Sequence, residues 1–306
     1  MDPLSDVFSL LDIRTARCTR LEAGGSWALR FPAKPALKFA AVLRGVCWIM
    51  LPGAKASRLA AGDTFLLNNA PSYVIANDPQ RPPDDAIKLF DWDHSDTAHH
   101  DGDDTVLLAG SFTFELSNAH LLFDVLPPLM LIPADNPSAA IMRGTLEILD
   151  NEIRSGRMGA SLVTRRLADV LLVQALRAYV DAHGDGSSGW IGALADPRIG
   201  AALGLMHGDV ARPWTVEQLA RGVGMSRSGF ALRFKSLVGV PPLDYLLRWR
   251  MQLARQDLRR GDTVARVAAG LGYASERGFG HAFKRIYGRA PKRYWSDVPA
   301  PAGAGR

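Results

Sequence analysis

Ser226–Tyr245 reads SRSGFALRFKSLVGVPPLDY, and Ser275–Tyr294 reads SERGFGHAFKRIYGRAPKRY. At an offset of 49 residues the two stretches share eight of twenty positions: Ser226/Ser275, Gly229/Gly278, Phe230/Phe279, Phe234/Phe283, Lys235/Lys284, Gly239/Gly288, Pro242/Pro291 and Tyr245/Tyr294. A segment that recurs at a fixed spacing is one supersecondary unit used twice. The residues just before each copy also match, TVEQLARGVGM (215–225) against TVARVAAGLGY (263–273). Val216, Leu219, Ala220 and Val223, like Val264, Val267, Ala268 and Leu271, fall at helical spacing. Thr215 and Thr263 are suited to cap a helix start, and Glu217 adds a favourable charge there. Gly224 and Gly272 stop the helix where a left-handed residue costs least. Ser226 and Ser275 then cap a second helix. Two short helices around a glycine turn form the helix-turn-helix, whose second helix enters the major groove of DNA.

Helical geometry sorts the faces of that second helix. Phe230, Phe234 and Leu237 turn inward in the first copy, as do Phe279, Phe283 and Ile286 in the second. The outward candidates for DNA contact are Arg227, Ser228, Ala231, Leu232 and Lys235, then Glu276, Arg277, Gly280, His281, Lys284 and Arg285. An ordinary solvated helix face would look similar in a single helix. The repeat and the charge weigh against that reading. From Asp196 onward there are 19 Lys and Arg against 8 Asp and Glu, while the preceding residues hold 17 against 23. The net charge of +5 therefore conceals a basic C-terminal third on an acidic N-terminal part. Concentrated positive charge is the footprint of phosphate binding through counterion release. Most of it is Arg, which suits bidentate contacts to phosphate and guanine.

The stretch Trp214–Trp295 resembles the double helix-turn-helix domain of AraC/XylS-type transcription regulators. WTVEQLA, GMSRSGFALRFKSLVGVPPLDYLLRWRM and VAAGLGYASERGFGHAFKRIYGRAPKRY carry the resemblance. It implies a linker helix, here Pro242–Arg260, amphipathic through Leu246, Trp249, Leu253 and Leu258. It also implies two recognition helices in successive major grooves, roughly 34 Å apart.

The chain has 306 residues, enough for about two domains. It shows no apolar run long enough to cross a membrane, and it begins MDPLSDVFSLLDI, acidic and amphipathic rather than signal-like. Two cysteines far apart, Cys18 and Cys47, suggest a reducing cytoplasm without a disulfide framework. From residue 13 to about 133 short β segments alternate with Gly, Pro, Asn and Asp turns, the pattern of a sandwich or barrel. From about 138 to 183 the period turns helical. The sequence predicts an α+β two-domain chain. Residues 1–183 form a β-barrel or sandwich with a helical extension for sensing and dimerisation. A linker follows at 184–195, containing GDGSSG, then an all-α double helix-turn-helix at 196–296 and a disordered tail at 297–306.

The β part resembles the cupin-like sensor domain of one branch of the same regulators. Glu22–Pro32, Phe39–Trp48, Leu59–Asp78 and Leu107–Glu115 carry the likeness. A metal-binding cupin offers His pairs in its first motif and a His in its second. Here Phe39–Arg44 holds no His, Asn68 and Ala70 replace the usual Pro and Gly, and Tyr73 stands where the second His would be. No metal, no cofactor and no enzymatic activity are therefore expected. Metal ligation by His94, His99 and His100 in the Asp-rich stretch DWDHSDTAHHDGDD is set against a solvated loop, which the absence of regular spacing favours. Trp27, Arg30, Trp48 and Tyr73 are candidates for an apolar ligand pocket with a polar anchor, or are core aromatics beside a surface Arg. Cys18, between Arg17 and Arg20, is a candidate redox sensor if those cations lower its pKa, or an inert residue on a strand. Cys47 reads as buried filler. The apolar helix Leu167–Val180 packs on the barrel, forms a dimer interface, or both.

The expected function is sequence-specific DNA binding in the cytoplasm under a small-molecule or redox signal. The expected partners are double-stranded DNA, an effector, RNA polymerase if the protein activates, and a second copy of the chain, with no membrane. Two alternatives stand beside it: a constitutive DNA-binding protein whose barrel only dimerises, and a cupin-type enzyme with a DNA-binding appendage.

Overall fold

The computed structural model describes residues 5–6, 13–69, 71–91, 95–114, 126–183 and 190–296. Ala70, His94, the GDGSSG stretch and the C-terminal tail lie outside the described residues. The chain divides into two compact units. One is Leu11–Ser187; the other joins Met1–Leu10 to Ser188–Arg306.

The first unit is built on two facing sheets. The larger contains β1 (Ile13–Ala23), β3 (Leu37–Arg44), β6 (Thr64–Asn68), β9 (Thr97–His100), β10 (Thr105–Phe114) and β11 (Leu129–Ile132), in the order β11-β6-β3-β10-β1-β9. The smaller contains β2 (Ala28–Phe31), β4 (Val46–Met50), β5 (Ser57–Ala60), β7 (Tyr73–Ala76) and β8 (Asp84–Asp85), in the order β5-β4-β7-β2-β8. Most neighbours run antiparallel; β1 with β9 and β2 with β8 run parallel. The inner faces meet in a core that includes Trp27, Leu29, Ile49, Phe65, Leu67 and Ile75.

Two helices, α1 (Ala139–Ser155) and α2 (Ala160–His183), follow the sheets. They lie against the outer face of β1, and the period of two along that strand shows why. Thr19 and Leu21 point between the sheets, whereas Cys18 and Arg20 point to the helices. The Cys18 thiol approaches the carbonyl of Thr164 at 4.0 Å. Arg20, only 6% exposed, donates to Asp150 of α1 at 2.5 Å and to Glu22 at 2.6 Å. A buried guanidinium paired on two sides fixes geometry more than it adds stability, but removing one partner strands a charge.

The second unit is helical: α3 (Trp190–Ala195), α4 (Pro197–Gly208), α5 (Val216–Gly222), α6 (Arg227–Val238), α7 (Pro242–Arg259), α8 (Val264–Gly270), α9 (Glu276–Tyr287) and α10 (Pro291–Ser296). The second half of the expected linker at 184–195 is helical, as α3. GDGSSG reads as punctuation, but the following WIGALA has no breaker beyond one Gly and enters a helix. Asp196, placed at the domain start, is the N-cap of α4 and accepts from the backbone N–H groups of Arg198 and Ile199 at 2.9 Å each.

Candidate nucleic-acid interface and barrel cavity

The repeated residues have repeated jobs. Thr215 caps α5 in a reciprocal capping box with Gln218, and Thr263 caps α8. Ser226 accepts from Gly229 N–H at 3.2 Å, and Ser275 from Gly278 N–H at 3.1 Å. Phe230, Phe234, Phe279 and Phe283 are fully buried. Phe234 meets Tyr245 edge-on with centroids 5.8 Å apart, and Phe283 meets Tyr294 in the same way at 5.5 Å. Gly239 and Gly288 close α6 and α9 in the left-handed conformation, at φ 84° and 74°. Pro242 and Pro291 then open α7 and α10 at the position where a missing N–H costs nothing.

The other faces of α6 and α9 are left to solvent. Arg227, Ser228, Leu232 and Lys235 are exposed on α6, with Ala231 half-buried on the flank. Leu232 is 75% exposed, a large apolar side chain that the fold does not use. On α9, Glu276, Arg277, His281, Lys284 and Arg285 are exposed, and Gly280 is half-buried. Arg285 lies 3.6 Å from Asp244 of α7, which holds part of its charge back from a ligand.

The spacing of the two motifs depends on contacts that sequence reading missed. Arg250 of α7 donates to the carbonyls of Val210 and Arg212 at 2.8 and 2.7 Å, and its guanidinium lies 5.8 Å from the centre of the Tyr273 ring. Gly272, read from sequence only as a helix stop, also lies under this loop: a Cβ there would sit 1.9 Å from the carbonyl oxygen of Ala211. Met251 and Ala254 of α7 share a core with Val267, Phe279 and Phe283. Trp249, in the middle of α7, stacks on His207 of α4 at 3.9 Å. His207 also meets Tyr245 Oη at 2.8 Å and Asp6 at 3.2 Å. Burial pushes the His207 pKa down to about 4, against the opposing pull of Asp6. The Arg233 guanidinium of α6 pairs with Asp196; together with backbone donors at the α4 start it outweighs burial and holds that carboxyl below its usual range.

The first unit contains a cavity of about 450 Å³ between its sheets. Cross-strand register arranges its wall in rows. Arg17, Ser111 and Lys38 form one row across β1, β10 and β3. Thr19, Ala109, Ala40 and Phe65 form the next, and Leu21 and Leu107 a third. The wall thus grades from charged to apolar along the strands. From the smaller sheet Phe31 and Tyr73 stack at 5.0 Å, and the Lys38 ammonium lies 4.8 Å from the Tyr73 ring centre.

Of the four residues singled out for a pocket, Tyr73 lines this cavity; Trp27, Arg30 and Trp48 do not. Trp27 is fully buried in the core, Arg30 is exposed and Trp48 is half-buried. Residue type alone points to aromatics, but the face each occupies is set by strand pairing. At Tyr73 a phenol held protonated by burial sits beside an ammonium, and such a pair does not fit a metal cation. No group of three or more His, Cys, Asp or Glu among the described residues could hold a metal ion. His99 instead pairs with Glu22 at 2.8 Å.

Cys18 is buried and lacks the lowered thiol pKa on which its redox reading depends. Burial, aided by Asp96 and Asp169, pushes its thiol up to about 12. Arg17 does not lower it, because its guanidinium pairs with Asp96 at 2.9 Å. Burial pushes Cys47 up to about 12 as well.

Comparison with known proteins gives the same division. A cupin family pattern matches residues 2–181, and a helix-turn-helix domain pattern matches residues 219–296. A protein of Streptomyces lividans named as an AraC-like transcription regulator is 41% identical over 279 residues, spanning 90% of this chain and 92% of its own length. The HTH-type transcriptional regulator AlkR of Acinetobacter baylyi is 28% identical over 285 residues, spanning 90% and 93%. Among solved structures, the DNA-binding domain of AdpA in complex with a target DNA is 31% identical, covering 36% of this chain and 99% of that chain with a TM-score of 0.33.

Proposed function

The chain belongs to the AraC-like transcription regulators, and we propose that it reads a two-part DNA site as an effector-controlled cytoplasmic regulator. The observation that carries the two-part site is the pair of exposed faces on α6 and α9, held on one scaffold by α7. Arg227, Ser228, Ala231, Leu232 and Lys235 address one segment of DNA. Glu276, Arg277, Gly280, His281, Lys284 and Arg285 address the other. The second helix carries the stronger hydrogen-bond donors and reads base edges; the first relies more on apolar contact and shape.

The barrel supplies the control. A small molecule entering its cavity is the signal, and the thiol of Cys18 is not. The outer face of the helical pair supports a homodimer: Ile141 and Ile148 of α1 are 66% and 54% exposed, and Leu162 of α2 is 61% exposed. As an activator the protein would also contact RNA polymerase.

Two measurements test the DNA reading. Affinity for the selected site is expected to fall with salt at a log–log slope of about −5 or steeper, as six or more neutralised phosphates require; a slope near zero would overturn it. Site selection with Arg277→Ala is expected to lose preference in one segment only, by about 1–3 kcal/mol of discrimination. Lys284→Ala is expected to weaken all sequences alike, as a phosphate contact does. An unchanged motif with Arg277→Ala would mean that another face is read.

A further inference from the structure

The barrel cavity is chemically one-sided. Its walls are aromatic and aliphatic on both sheets, through Phe31, Phe65, Tyr73, Ile75 and Leu107. Its middle row is hollow because Ala40 and Ala109 are small where neighbouring rows carry larger side chains. Cations gather at one end. Arg17 is paired with Asp96. Lys38 is half-buried, and among the described residues no carboxylate reaches it. Its visible partner is the Tyr73 ring face, a weaker attraction than an ion pair. Burial and the nearby Lys34 charge both work against its protonated form, lowering it to about 8. The cavity therefore holds an ammonium group at the edge of an apolar space, with a hydroxyl row beside it at Ser111 and Thr113.

We propose that the effector of this protein is an amphipathic monocarboxylate, its apolar body seated between the sheets and its carboxylate on Lys38. The proposal rests on reading the barrel as the effector-binding unit. A carboxylate supplies the counter-charge that Lys38 lacks, and the body fills the space left by Ala40 and Ala109. A neutral apolar molecule would fill the same space and leave the ammonium uncompensated. A sugar would leave most of its hydroxyls facing aromatic and aliphatic walls without partners, at a desolvation cost.

The test uses the full chain and two matched pairs of probes: decanoate against decanamide, and 4-phenylbutyrate against its primary amide. Binding is followed by thermal shift and calorimetry. At least one acid is expected to bind saturably and about tenfold more tightly than its amide, the difference one charge-assisted hydrogen bond supplies. Lys38→Gln is expected to abolish that preference while keeping the amide affinity within about twofold. Ala109→Phe fills the middle row and is expected to weaken acid and amide alike by about tenfold or more; Ala40→Leu does the same if Ala109→Phe does not fold. Equal binding of acid and amide, no binding of either acid, or undiminished binding by the folded filling variants would each overturn the proposal. DNA affinity without probe is measured on every variant. Failure of wild type to bind DNA would count against the regulator reading, whereas intact DNA binding with indifferent probes would count against the carboxylate alone.

Discussion

At the scale of single residues, the most informative side chain is Leu232, large, apolar and 75% exposed on an otherwise polar helix face. Among the described residues no contact accounts for it, and the natural partner for such a group in a major groove is the methyl of thymine. Leu232→Ala is expected to cost affinity on a thymine-containing site and nothing further on the same site built with uracil. Equal losses on both templates, measured by fluorescence anisotropy, would remove Leu232 from the base-reading surface. Cys18 gives the opposite kind of prediction. A buried thiol with its pKa raised to about 12 is almost wholly protonated at pH 8, and the thiolate is the reactive species. Alkylation of the native protein by iodoacetamide at pH 8 is expected to be at least about tenfold slower at Cys18 than in the denatured chain. Mass spectrometry of the digested protein reads this directly, and rapid labelling would restore the redox reading.

At the scale of elements, the two glycines that end α5 and α8 separate a shared requirement from an unshared one. Gly224 and Gly272 both hold positive φ, 66° and 77°. Around Gly224 a Cβ meets nothing within 4 Å, so Gly224→Ala bears only the left-handed penalty, about 1–2 kcal/mol. Gly272→Ala adds a collision with the Ala211 carbonyl, for which the loop held by Arg250 has to move. Gly272→Ala is expected to destabilise the protein by at least about 2 kcal/mol more than Gly224→Ala in urea melts, and to weaken binding to sites with wild-type spacing. Equal losses would show that the Ala211 loop yields freely.

The same elements show how much the sequence carried. Eight identities at one offset identified caps, core aromatics, left-handed stops and helix starts, because each is a local requirement on one residue type. Register between strands is not local. The cavity depends on Thr19, Ala109 and Ala40 falling opposite one another on three strands, and nothing in KFAAVLRG or TVLLAGSF announces that pairing. Chemistry alone points to Trp27 and Trp48, and the wall uses neither. Lys38, a lysine near a strand start, reads in sequence as an ordinary surface residue; its place at the cavity wall, with no carboxylate beside it among the described residues, is visible only in the fold.

At the scale of the whole molecule, acid is expected to act on the helical unit through His207. Its pKa in the folded protein, about 4, lies below the ordinary value of 6.5. Between those two values the unfolded chain binds the extra proton, so stability is complete above about pH 6.5 and declines as the pH falls toward 4. The loss has an upper range on the order of 2–3 kcal/mol at the low end, and any part recovered through Asp6 reduces it. His207→Gln is expected to flatten the dependence in that window, and chemical denaturation of both proteins at pH 7 and pH 5 checks it. An identical decline in the variant would assign the effect to other groups.

The partner of that histidine also sets an order in time. Asp6 and His207 are 201 residues apart in sequence, yet 3.2 Å apart in space. At ribosomal rates of about 5–20 residues per second, Asp6 is made about 10–40 s before the imidazole it meets. Residues 11–187 are complete within that interval and are free to fold first. The carboxylate waits through the whole of their synthesis, so this contact of the helical unit closes across a segment that has already had time to take its final form.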